Sequence, residues 1–206
     1  MTDARGVNRR TLGGVLSLAS ILACCVRAES VGADSIGFSS STSVGTRLPN
    51  VVLTTHENKT VRFYDDLVKG KVVLINFMFT SCKRFCPVTM PNLVKVQAAL
   101  GDRVGRDIFL YSITLDPAAD TPAVLSRYAK AVGAGPGWIF LTGKQEAIER
   151  LRRKLGMYNR DPAIDADRTQ HSGLVVCGND VTDRWATISG LYRPAVIAKA
   201  VLRVAG

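Results

Sequence analysis

The sequence predicts an α/β domain with a mixed central sheet flanked by helices, and three observations carry that expectation. Apolar, β-branched runs alternate with segments of helical period, turn residues separate them, and strand–helix–strand order gives way to further strands and a last helix. Val51-Val-Leu-Thr-Thr55 reads as a short strand, His56-Glu-Asn-Lys59 as a turn that leaves His56 on the surface, and Thr60-Val-Arg-Phe63 as the returning strand. Residues 71–79, built on Val72-Val-Leu-Ile-Asn-Phe77, read as a buried central strand. Helical spacing follows in Thr89-Met-Pro-Asn-Leu-Val-Lys-Val-Gln-Ala-Ala-Leu100, and residues 107–115 form the next buried strand. Asp120 ahead of Pro122 has the look of a cap on a helix running to about residue 132. A strand over 137–141 precedes an amphipathic helix over 144–155, with Ile148, Leu151 and Leu155 on one face and Gly156 as its stop. After the polar turn Asp165-Ala-Asp-Arg-Thr-Gln170 come a strand over 171–177, another over 183–188 and a closing helix over 194–204.

A chain of 206 residues has room for one domain and a leader. The formal net charge of +10, from 27 basic and 17 acidic residues, could suggest nucleic acid, but the basic residues are scattered as Arg9-Arg10, Lys83-Arg84 and Arg152-Arg153-Lys154. No basic run with interleaved aromatics is present, so no nucleic-acid partner is expected; a solvated basic surface is, with an acidic partner face or acidic lipid as the alternative. Residues 1–28 read as an export signal, with Arg5, Arg9 and Arg10 ahead of an apolar segment over 12–26 and small residues at Val26-Arg-Ala28. That segment is shorter than the ~20 residues a membrane span requires, which favours cleavage over retention as an anchor. Variants of the same reading are a twin-arginine signal at Asn8-Arg-Arg-Thr-Leu12, acylation at Cys24, and membrane association through an uncleaved segment. Residues 29–47, rich in Ser, Gly, Ala and Thr, form a flexible linker, and residues 48–206 form the domain.

Of five cysteines, Cys24 and Cys25 fall in the leader. Cys82, Cys86 and Cys177 remain, too few for a disulfide-stapled scaffold and better read as a working pair plus one. The pair lies in Phe77-Met-Phe-Thr-Ser-Cys82-Lys-Arg-Phe-Cys86-Pro87, where the central strand gives way to a helix. With a helix beginning near Cys82, residues i and i+4 share a face, and the helix dipole together with Lys83 and Arg84 favours thiolates. A dithiol there supports soft-metal ligation or reversible disulfide formation, and it makes a thioredoxin-like fold the leading candidate over a generic doubly wound domain. His171 would complete a soft three-coordinate set for Cu(I), its nitrogen also accommodating Cu(II); zinc would call for a fourth protein ligand. Asp116 and Asp120 lie at a strand end where α/β folds place active sites, with a turn and a cap as their plainer reading. Cys177, six residues past His171 and of the same strand parity, reads as core, with a resolving thiol as the alternative. No feature singles out one sulfur of the pair.

At these residues the chain resembles the SCO/SenC family of copper chaperones for cytochrome c oxidase assembly. The likeness runs from about Leu48 to the C-terminus: Lys71-Val-Val-Leu-Ile-Asn-Phe77, Cys82-x-x-x-Cys86-Pro87, Ser112-Ile-Thr-Leu-Asp116-Pro-x-x-Asp120-Thr-Pro122, Trp138-x-Phe-Leu-Thr-Gly143 and His171-Ser172. It implies a thioredoxin-like fold, copper bound by Cys82, Cys86 and His171, delivery to the CuA subunit of the oxidase or another copper enzyme, and a periplasmic location, free or tethered to the inner membrane. Gln170 stands where many members carry Asp, and Cys177-Gly-Asn-Asp180 where they carry an Asp-Pro-x-Gly turn. The resulting expectation is a metal carrier and not an enzyme. A thiol–disulfide oxidoreductase using Cys82 and Cys86 is the competing reading, and a copper or redox sensor the third.

Overall fold

The computed structural model describes residues 48–167 and 173–206. Among them seven strands form one sheet, in the order β2-β1-β5-β4-β3-β6-β7. The strands are β1 (Val52–Thr55), β2 (Thr60–Arg62), β3 (Val72–Met78), β4 (Ile108–Thr114), β5 (Trp138–Gly143), β6 (Leu174–Asn179) and β7 (Arg184–Ser189). The helices are α1 (Cys86–Leu100), α2 (Pro122–Val132), α3 (Gln145–Lys154), α4 (Pro162–Ala166) and α5 (Pro194–Ala205). β3, β4 and β5 run parallel, and α1 and α2 fill the two connections between them. Parallel strands need such long crossovers and are covered on both faces, which is why all seven residues of β3 are buried. β6 adds antiparallel to β3, and β1 antiparallel to β5.

A buried polar chain crosses the three parallel strands. Trp138 Nε1 donates to Ser112 Oγ at 2.9 Å, Ser112 Oγ donates to Asn76 Oδ1 at 2.7 Å, and Asn76 Nδ2 lies 3.8 Å from Met90 Sδ on α1. A polar group sealed from water is tolerated only when bonded, and each link here holds one strand in register with the next. Where β4 and β5 begin, Gly137 (φ +80°) meets Gly105 so closely that a Cβ on Gly137 would lie 2.3 Å from the Gly105 nitrogen. Only glycine fits that approach.

Three local expectations need correction. The second strand ends at Arg62, because Phe63 turns inward and opens a six-residue π-helical turn, Phe63–Val68. Asn50 Oδ1 accepts the Tyr64 and Asp65 amides, and Tyr111 donates its hydroxyl to the Leu67 carbonyl. His56 is half-buried: its Nδ1 accepts the Phe140 amide at 3.2 Å and its ring packs edge-on against Phe140. The polar stretch after α3 contains the short helix α4, capped by Asp161, whose carboxylate accepts the Ala163 amide at 2.9 Å.

Candidate metal and redox centre

The cysteine loop joins the C-terminal end of β3 to α1. Helix α1 begins at Cys86, four residues later than expected, because Pro87 lacks an N–H and has the fixed φ suited to a first turn. Cys82 therefore sits ahead of the helix, in a turn where its amide donates to the Phe79 carbonyl at 3.0 Å. The two sulfurs do not share a helical face; one approaches the helix N-terminus from the loop and the other belongs to its first turn.

Both side chains are buried, Cys82 at 8% and Cys86 at 4% exposure, and no disulfide joins them. Burial acts to raise the Cys82 thiol, but the amides of Cys86, Arg84 and Phe85 and the Cys86 thiol all hydrogen-bond to its sulfur and bring it below the ordinary range. Those amides are the unsatisfied donors of a helix start, aimed here at a sulfur. Cys86 is driven the other way, up to about 12, by burial first and then by its bond to Cys82. The pair is thus asymmetric, contrary to the expectation that neither sulfur stands out, and the backbone amides do the work assigned to the flanking charges. Lys83 and Arg84 are exposed, the latter with its guanidinium 5.1 Å from the Phe85 ring centre.

Asp120 caps no helix. Thr121 does, accepting the Val124 amide at 3.4 Å, while Asp120 is buried and takes three donors: the Thr80 amide and the hydroxyls of Thr80 and Thr114. It fastens the start of the cysteine loop to β4 and lies close enough to Cys86 to disfavour its charge. Asp116 begins the same turn, its amide donating to Thr114 Oγ1 at 2.9 Å. Tyr128 on α2, absent from the sequence-derived site, faces the pair; burial, then the proximity of Cys86, Cys82 and Asp120, holds its phenol above the usual range. Its helical position gave no chemical signal that could have found it.

Thr89 lies one turn into α1 with its hydroxyl buried and unbonded. Valine there is isosteric and removes an unpaid desolvation cost, so Thr89→Val is expected to gain about 1 kcal/mol in thermal unfolding. A loss of similar size would show that the hydroxyl is needed.

His171 lies outside the described residues, as do the leader and linker over 1–47. Gly173, two positions later in sequence, packs against the cysteine loop: a Cβ there would lie 3.1 Å from the Phe85 ring. Cys177 is fully buried, opposite Leu74 and Ala186, its thiol 3.6 Å from the Ala186 carbonyl and pushed up to about 12 by burial. It packs the core. Among the described residues no group of three His, Cys, Asp or Glu side chains assembles a metal site.

A mixed sheet with a dithiol at the N-terminus of the helix following its central strand defines a thioredoxin-like domain. Residues 49–206 match the family model SCO1/SenC, and the chain belongs to that family. It is 34% identical over 125 residues to a putative copper-binding protein of Stutzerimonas stutzeri, covering 57% of this chain and 58% of that protein. To an SCO2-like protein of Rickettsia felis it is 35% identical over 96 residues, covering 47% and 45%. The matches thus span about half the length of these curated relatives. Among solved structures, copper-bound ScoI of Bradyrhizobium japonicum superposes with a TM-score of 0.60 at 26% identity, covering 74% of this chain and 96% of that one. BsSco, described as a Sco protein of cytochrome c oxidase assembly with a disulfide switch, superposes with a TM-score of 0.61 at 23% identity, covering 76% and 92%.

Proposed function

We propose that this protein is a copper carrier that holds the ion on Cys82, Cys86 and His171 and delivers it to a respiratory copper enzyme, the CuA subunit of cytochrome c oxidase. The observation that carries this reading is the buried dithiol, one sulfur of which is met by three backbone amides at the start of α1. Such a pair fits a soft monovalent cation: the amides compensate the charge of one thiolate, the ion takes both, and an imidazole completes a three-coordinate set. The relatives' copper supports the assignment. Transfer proceeds by stepwise exchange of these ligands for those of the recipient. The sequence of the leader supports an exported, periplasmic location, with tethering through residues 1–28 if the segment is retained.

The purified, reduced protein is expected to bind one copper ion per chain and to lose that stoichiometry in Cys82→Ser and Cys86→Ser. His171→Ala is expected to weaken affinity by at least about tenfold. Near-wild-type affinity in both Cys86→Ser and His171→Ala would sink the proposal.

The inequality of the two sulfurs supports a second reading, reduction of a partner's disulfide. Cys82 thiolate attacks one partner sulfur, and Cys86 then displaces the partner. The partner leaves as a dithiol, and the two electrons it gained leave a Cys82–Cys86 disulfide behind. Disulfide turnover undiminished by His171→Ala would favour this activity over metal carriage.

A further inference from the structure

Beside the dithiol lies a surface that neither the core nor the metal ligands account for. Val88 in the first turn of α1 is 47% exposed, and Leu191 and Tyr192, between β7 and α5, are 44% and 49% exposed. The fold brings them together. Asn92, one turn beyond Val88 on the same helical face, donates from Nδ2 to the Gly190 and Tyr192 carbonyls, each at 3.0 Å. Gly190 donates its amide to the Gly173 carbonyl and abuts Thr89, a Cβ there meeting Thr89 Cγ2 at 2.7 Å. Ser189 accepts the Leu191 amide through its hydroxyl and the Tyr192 amide through its carbonyl. Two large apolar side chains are therefore held in water on a turn pinned at five points, and such preorganised exposure suits a protein contact.

The side-chain charges on the two segments that form this surface have one sign. Residues 81–101 and 189–206 contain no aspartate or glutamate, while Lys83, Arg84, Lys95, Arg193, Lys199 and Arg203 fall within them. These six, scattered in sequence, come from segments brought side by side because α1 packs against α5. Lys83, Lys95, Arg193 and Lys199 make no ion pair with a described residue, unlike Arg103 and Arg152, which are paired with carboxylates.

We infer that the Val88–Leu191–Tyr192 face with its cationic surround docks the protein that exchanges copper with the dithiol, through a matching apolar spot rimmed by carboxylates. The inference rests on the carrier reading for the partner's role. A protein is favoured over an anionic bilayer because the patch is small, rigid and adjacent to buried sulfurs that a recipient's ligands have to reach.

The test titrates the purified protein, apo and copper-loaded, with a purified apo CuA domain of acidic net charge, at low and at physiological salt. The wild type is expected to bind about tenfold more weakly at the higher salt. Lys95→Glu with Arg193→Glu is expected to weaken low-salt binding at least about tenfold and to flatten the salt dependence. Leu191→Ser with Tyr192→Ser is expected to weaken it by about tenfold while leaving the salt dependence in place. All four substitutions are on exposed side chains, and copper content is expected to stay at the wild-type value. Association indifferent to both variant pairs, or no association by a wild type that holds copper, overturns the docking face. So does binding to phosphatidylglycerol vesicles, lost in the charge variants, in place of binding to the domain. A wild type that holds no copper sinks the carrier reading instead, and the apo titration then still decides the surface.

Discussion

Asp120→Ala is expected to cost about 3 kcal/mol or more and to raise the reactivity of Cys82 toward a thiol reagent. The carboxylate is buried and is the acceptor for the Thr80 amide and for the Thr80 and Thr114 hydroxyls. Removing it strands three donors at once, each worth about 1 kcal/mol or more when left unsatisfied. Thr80 is the first residue of the turn that sets Cys82, so releasing it loosens the wall around that sulfur. Asp120→Asn keeps one acceptor oxygen, and the two hydroxyls can rotate to meet its amide; a smaller loss of about 1–2 kcal/mol is expected. Thermal unfolding and the rate of Cys82 labelling check both. An unchanged midpoint and labelling rate in Asp120→Ala would remove Asp120 from any part in holding the loop.

Arg152→Ala is expected to cost about 3–5 kcal/mol, because it leaves carboxylates without their cation in a largely buried place. The Arg152 and Asp165 side chains are 9% and 7% exposed. The guanidinium forks onto Asp165 at 2.6 and 2.7 Å, reaches Glu149 at 2.7 Å and donates to the Met157 carbonyl at 3.1 Å. It thereby fastens α4 and the segment before it to α3. The same contact gives a pH signature. The Asp165 carboxyl is held down to about 2, foremost by its hydrogen bond to Arg152, below the usual carboxylate value near 4. A depressed carboxyl stabilises the fold above its unfolded pKa, and that contribution, about 2 kcal/mol, drains away as pH falls from about 4 to about 2. Wild type should show this component of acid destabilisation and Arg152→Ala should lack it. Parallel stability–pH curves for the two proteins in that window would count against the clasp.

The two predictions turn on residues that the sequence presented very differently. The run 72–78 declared itself, since a continuous β-branched segment has few other places to go than a covered parallel strand. α2 and α5 were legible from proline at the start, α3 from its apolar period, and α2 and α3 from a left-handed glycine, Gly133 or Gly156, just past the end. Asp120 was visible but misread, because Asp-Thr-Pro offers two capping side chains and only tertiary contact with Thr80 and Thr114 decides between them. Arg152 read as one charge in the run Arg152-Arg153-Lys154, and nothing local distinguishes the buried member from its exposed neighbours. The cysteines were plain as a pair. Their inequality was not, since it depends on where the helix starts and on which sulfur its first amides face.

The approach of Gly173 to Phe85 bears on the order in which the molecule is made. Gly173 leads into β6, which pairs with β3 only after some hundred intervening residues have been threaded into place. Contacts that far apart in sequence form late in folding. A chain still lacking β6 therefore presents the Cys82–Cys86 loop without the Gly173 contact on Phe85, and that interval is when the two sulfurs are most open to stray oxidation. The cover over the two sulfurs consequently depends on the C-terminal third, and a truncation ahead of β6 should accumulate oxidised thiols even where its remaining strands pair.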